Sequence, residues 1–190
     1  MKLKTGPTDR IYPMPCPLVV GGTRDSADTL AVAWIGIAGN TPPSLAMALR
    51  RTRHTLALIR ETGEFTVNIP PTTLAAEVDY CGITSGTATD KFADTGLTLS
   101  PAAVVSTPII DQCPYNLECR VTHELELGEY VLVVGEIVES HAEESILRDG
   151  KIDVELLDPL IYIAGSREYR ALGARVAEAF SVGRTFKAQQ

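Results

Sequence analysis

The sequence predicts a mainly β fold with peripheral helices, an α+β chain whose strands close into a β-barrel. Three observations carry that reading. Short apolar segments recur along the chain, punctuated by Gly and Pro. The stretch 116–127 alternates apolar and polar residues, as a half-buried antiparallel strand does. Stretches with apolar residues at helical spacing are fewer.

Taken in order, strands are expected at 17–23, 30–37, 44–49, 64–69, 116–127, 130–140 and 160–164. Within 116–127, Leu117, Cys119, Val121, Leu125 and Leu127 fall on one face. Glu118, Arg120, Thr122, Glu124 and Glu126 fall on the other. Gly128 and Glu129 suit a tight turn into the next strand. That strand opens with Tyr130-Val131-Leu132-Val133-Val134, apolar on both faces. It should be covered by the core on one side and by a helix or a second subunit on the other. A helix is expected at 52–61, with Thr52 as N-cap, Leu56 and Ile59 on one face, and Gly63 past its end. Shorter helices are expected at 72–80 and 89–93, the second ending near Gly96. A C-terminal helix is expected within about 166–180, packed on the barrel or on a partner, because Leu172, Val176, Ala179 and Phe180 have helical spacing. No repeat, low-complexity tract or Gly/Ser linker divides residues 1–190, so one domain is expected.

The formal charge of −7 argues against a nucleic-acid partner, which needs clustered Lys and Arg. No apolar run approaches the roughly 20 residues that span a bilayer. Pro13, Pro15 and Pro17 interrupt any leader-like segment. A cytoplasmic protein without membrane contact is expected. Cys16, Cys81, Cys113 and Cys119 lack CxxC spacing, so free thiols are expected rather than a metal site.

Against this acidity, RRTRHT at 50–55 stands out. Its arginines precede or enter a predicted helix start, where free N–H groups and the helix dipole favour an anion. Arg50 and Arg53 add bidentate donors, Thr52 and Thr55 add hydroxyls, and His54 can donate to the same anion. A solvated charged turn is the alternative. The loop CGITSGTATDKF at 81–92 offers Ser85, Thr87 and Lys91 as a second set of polar groups. It is otherwise an ordinary surface loop, and it lacks the spacing of a Walker motif. Trp34, the only tryptophan, is either core or a neighbour for a flat cofactor. His123 lies on the apolar face of its strand, so a core or interface role is expected. No nucleophile–base pairing or carboxylate pair is evident, so any chemistry would come from a cofactor.

An ordered set of segments carries a resemblance. PCPLVVGGT (15–23), AVAW (31–34), TPPSLAMALRRTRHTLALIRETGEFTVNIP (41–70) and DYCGITSGTATDKFADTGL (79–97) are followed by YNLECRV (115–121), GEYVLVVGEIV (128–138) and DPLIYIAGSREYRALG (158–173). From about Tyr12 to Gly173 the chain resembles the flavin reductase-like family, and within it the flavoredoxins. The resemblance implies an FMN-binding split barrel that forms a homodimer, with the cofactor near the subunit interface. It implies that Arg50, Arg53, His54 and Thr55 meet the phosphate and ribityl chain, with Ser85 and Lys91 contributing from the second loop. Leu30, Ala33, Trp34, Ile35 and Gly36 would line the isoalloxazine ring. Tyr130 and Tyr162 would be further neighbours.

Two departures from the family pattern lie near the implied ring. Asp28-Thr29-Leu30-Ala31 replaces an Asn-rich approach, and Tyr130 stands where many members carry His. The implied activity is hydride transfer from NADH or NADPH to FMN, with electrons passed to a flavin, a metal ion or a redox protein partner. No GxGxxG motif follows a strand, so the donor would stack directly on the flavin. The alternatives are an electron-carrier module with little reductase turnover, and a barrel that binds a different planar anion.

Overall fold

The computed structural model describes residues 1–186. Its first strands are β1 (Met14–Pro15), β2 (Leu18–Gly21), β3 (Asp28–Ala31), β4 (Ile35–Asn40) and β5 (Pro43–Arg50). Helix α1 (His54–Thr62) and β6 (Glu64–Ile69) follow, then α2 (Ala75–Ile83), α3 (Lys91–Thr95), β7 (Leu99–Ser100) and β8 (Ile109–Ile110). The long strands β9 (Tyr115–Leu127) and β10 (Tyr130–Ala142) come next. β11 (Leu147–Arg148), β12 (Lys151–Ile152), α4 (Val154–Leu157), β13 (Ile161–Ile163) and β14 (Glu168–Arg170) complete the main elements. Seven strands form one antiparallel sheet in the order β3-β2-β6-β9-β10-β5-β4.

The two edges of that sheet, β3 and β4, are consecutive in the chain, so the expected strand 30–37 is in fact two strands. At 32–34 the chain leaves one edge and joins the other. Val32 N–H donates to Pro17 O at 3.0 Å, and Ala48 N–H donates to Trp34 O at 2.9 Å. One continuous strand could not pair with both β2 and β5. The crossing closes the barrel and leaves a cleft beside it.

The barrel interior is filled by Val19, Leu30, Met47, Phe65, Val67, Val131 and Val133, with Leu56 and Ile59 of α1 packed against them. A second cluster lies on the other face of β2, where Leu18 and Val20 meet Val78 and Cys81 of α2, Ile110 and Cys113. All four cysteines are buried free thiols. Burial pushes Cys16, Cys113 and Cys119 up to about 12 and Cys81 to about 11, which keeps them protonated and unreactive near neutral pH.

The alternation of β9 does not hold to one face. His123 opposes Val134 and Val121 opposes Gly135, which leaves Thr122 as the extra residue of a β-bulge. A bulge shifts the side-chain parity of everything beyond it. Leu117, Cys119 and Val121 therefore pack on the barrel interior. Leu125 and Leu127 lie on the outer face, 57% and 49% exposed, opposite Leu132 and Tyr130. His123 is exposed beside them. Glu118, expected on the solvent face, is fully buried. Its carboxylate accepts from the N–H groups of Ala103, Val104 and Val105 and pairs with His141. Burial pushes its pKa up, but these hydrogen bonds outweigh burial and hold it below the usual carboxylate range.

The helix expected within 166–180 does not form. Residues 168–170 are β14, paired with β13, and 171–178 have no regular structure. Leu172, Val176 and Phe180 are 45%, 98% and 96% exposed. An amphipathic helix is held mainly by the packing of its apolar face, and here those side chains are left largely in solvent.

Candidate functional site

Two cavities meet at the barrel cleft and share Leu30, Arg50 and Arg53. The first, about 190 Å³, lies along the 32–34 crossing and is lined by Leu30 to Trp34, Ala48, Leu49 and Tyr130. The second, about 420 Å³, is polar and is lined by Asp28, Thr52, His54, Thr55, Thr84, Ser85, Gly86 and Lys91. Together they make a slot with a flat end, walled by the Trp34 and Tyr130 rings and the 30–34 segment, and a cationic end.

Helix α1 begins one residue later than the sequence suggests. Arg53, not Thr52, is the N-cap, with extended φ and ψ of −72° and 129° and no side-chain cap. The helix carries no acidic residue in its first turn, so its N-terminal N–H groups and positive dipole end are left for an external anion. It ends as expected at Gly63, in the left-handed conformation with φ 68°. The tight turn before α1 is fixed by Arg53 N–H donating to Arg50 O at 3.0 Å. Among the described residues, the side chains of Arg53 and His54 have no hydrogen-bond or ion-pair partner, and both line the cationic cavity. Arg51 points elsewhere and pairs with Glu126.

The floor of this cavity is a buried polar cluster that the sequence does not reveal. Asp28 is 6% exposed and Lys91 3% exposed, and Lys91 Nζ lies 3.0 Å from Asp28 Oδ1. Lys91 also donates to Thr29 O at 2.5 Å. Thr55 Oγ1 donates to Asp28 Oδ2 at 2.5 Å, so the Thr55 hydroxyl is committed to the carboxylate. Gly86 closes over the same group, because a Cβ there would sit 2.3 Å from Asp28 Oδ1. One carboxylate thus ties β3, the start of α1, α3 and the 84–90 loop together. Lys91 offsets its charge, which would otherwise repel an anion.

At the flat end Tyr130 stands directly opposite Arg50 in the β5–β10 ladder. Its ring centroid is 4.9 Å from that of Trp34, with a 34° tilt. Arg50 Nε donates to the Tyr130 hydroxyl at 3.0 Å.

Of the residues singled out from the sequence, Leu30, Ala33, Trp34, Arg50, Arg53, His54, Thr55, Ser85, Lys91 and Tyr130 line this slot. Three do not. Ile35 lines a separate apolar hollow with Ile11 and Met14, Gly36 faces open space, and Tyr162 packs on the second core cluster beside Tyr169. The pairing of Asp28 with Thr55 and Lys91 is not legible in the sequence, since these partners are remote and no local pattern joins them.

Comparison with known proteins gives this architecture its place. Residues 10–173 match the family model described as flavin reductase like domain. The chain belongs to the flavin reductase-like family. It is 39% identical to the flavoredoxin of Desulfovibrio vulgaris (Miyazaki F), with a TM-score of 0.91 over 96% of this chain and 100% of that one. It is 32% identical to a flavoredoxin from Methanosarcina acetivorans, with a TM-score of 0.92 over 98% and 99% of the two chains. A protein of Archaeoglobus fulgidus is 35% identical over 145 residues, 76% of this chain and 80% of that protein. A protein with a split barrel domain from Shewanella frigidimarina, 22% identical, shares the fold with a TM-score of 0.77 over 88% and 87% of the two chains. In flavin reductase-like terms the seven-stranded sheet is the split barrel, and the slot lies at its 32–34 crossing. Among the described residues no helix is long and apolar enough to cross a membrane.

Proposed function

We propose that this chain is an FMN-binding oxidoreductase that takes electrons from NADH or NADPH and passes them to a flavin, metal or protein acceptor. The observation that carries the reading is the slot itself, which joins an end walled by aromatic rings to a cationic end at an uncapped helix N-terminus. These residues fit FMN. Arg53, His54, the α1 N–H groups and Ser85 suit a phosphate, and the only carboxylate among the lining residues, Asp28, is paired with Lys91. The 30–34 segment, Trp34 and Tyr130 suit the edge and face of a planar ring. Bound FMN would supply acceptance of a hydride and its onward release as electrons. The protein's own contribution is orientation, fixed positive charge and exclusion of water from one ring face. The flavoredoxin likeness over nearly the whole chain supports the same reading.

The experiment is anaerobic mixing of the FMN-loaded protein with NADH or NADPH while the flavin absorbance is followed. Bleaching by either nicotinamide is expected. If neither bleaches it but a reduced redox protein does, the chain is an electron carrier and the reductase assignment fails.

We also propose that the protein is a homodimer. The outer face of β5, β10 and β9 carries Ala46, Ala48, Leu132, Val134, Leu125 and Leu127 in register, and this apolar surface adjoins Tyr130 and Trp34 of the slot. A charge on this face, Leu125→Lys, is expected to shift the protein from dimer to monomer in sedimentation, because a buried unpaired ammonium is strongly disfavoured. A wild-type monomer at working concentration would contradict this assembly.

A further inference from the structure

We propose that Tyr130 is a positioning residue for phosphate recognition, holding Arg50 so that the site prefers a phosphorylated flavin over its dephosphorylated form. This inference rests on the flavin reading above and concerns which part of the ligand Tyr130 serves. Arg50 ends β5 as an exposed side chain, and an unrestrained arginine loses much rotamer freedom when it binds a ligand. Here it is already restrained. Its Nε donates to the Tyr130 hydroxyl at 3.0 Å, and its Cζ lies 5.4 Å from the centre of the Tyr130 ring, within cation–π range. With Nε engaged, both terminal nitrogens remain as donors, the pair suited to two oxygens of one phosphate. Tyr130 is itself held by the Trp34 ring at 4.9 Å and by its place in the ladder opposite Arg50 and Leu127. Arg50, Tyr130 and Trp34 are therefore linked by contact, and all three line the first cavity. Arg50 lines both cavities and Tyr130 only the flat one. The hydroxyl acts on the anion through Arg50.

The test is a titration of the apoprotein with FMN and with riboflavin, for wild type, Tyr130→Phe, Arg50→Ala and the double variant. Tyr130→Phe removes the hydroxyl acceptor and keeps the ring contacts with Arg50 and Trp34. The expected result is an FMN affinity weakened about three- to tenfold, the scale of one typical intramolecular hydrogen bond, since the hydroxyl acts only through Arg50, with riboflavin affinity unchanged. In the Arg50→Ala background, Tyr130→Phe is expected to change neither affinity. Equal weakening of FMN and riboflavin would overturn the proposal in favour of a purely structural role. So would an unchanged FMN affinity, or a full effect without Arg50. Those three outcomes leave FMN binding in place. A wild-type protein that binds neither flavin overturns the flavin reading and this inference together.

Discussion

Lys91→Met should lower folding stability by about 3–5 kcal/mol, the cost of leaving one partner of a buried ion pair alone. Lys91 Nζ is the only cation within ion-pair distance of Asp28 among the described residues, and both side chains are nearly inaccessible to solvent. Removing it leaves a nearly buried carboxylate with one hydroxyl donor, Thr55. The same change should weaken FMN binding, since an unbalanced negative charge then lies in the floor of the phosphate cavity. Asp28→Asn combined with Lys91→Met should recover most of the stability, because removing both charges removes the uncompensated one. Chemical denaturation of both variants against wild type reads this out. A Lys91→Met protein within about 0.5 kcal/mol of wild type, the range of an ordinary surface change, would show that the cluster does not bear on stability.

The second large effect falls on the ligand. Arg53→Ala should weaken FMN binding by about 1.5–3 kcal/mol, the usual contribution of a charge-assisted hydrogen bond. Arg53 is the N-cap of α1 and brings its side chain into the same cavity as the helix's open N–H groups. Its guanidinium has no other partner among the described residues, so folding stability should change little. Riboflavin, which lacks the phosphate, should bind the variant as it binds wild type. A loss of equal size for riboflavin would move Arg53 from the phosphate to the ring or ribityl contacts.

Much of this arrangement is legible in the sequence wherever the determinant is local. The strand 64–69 and the glycine stop at Gly63 follow from neighbouring residues, and the structure places both as expected. The arginine cluster reads as an anion site because its charge and a helix start coincide within a few residues. What the sequence hides depends on distant partners. The β-bulge at Thr122 is set by pairing with β10, and without it Leu125 and Leu127 look like core. The break at 32–34 exists because one segment pairs with two edges of the sheet, a demand that leaves apolar composition unchanged. The Asp28–Lys91–Thr55 cluster brings three segments together and has no spacing signature. The C-terminal tail shows the reverse case, in which helical spacing is present but its apolar side chains stay exposed and no helix forms.

The central claim is that the slot is an FMN site. Its most direct test is titration of purified apoprotein with FMN, followed by the change in flavin absorbance and fluorescence. The account predicts saturable binding of one FMN per protomer, tighter than riboflavin and weakened by Arg53→Ala. Failure to bind FMN, or binding indifferent to both the phosphate and Arg53, would contradict it.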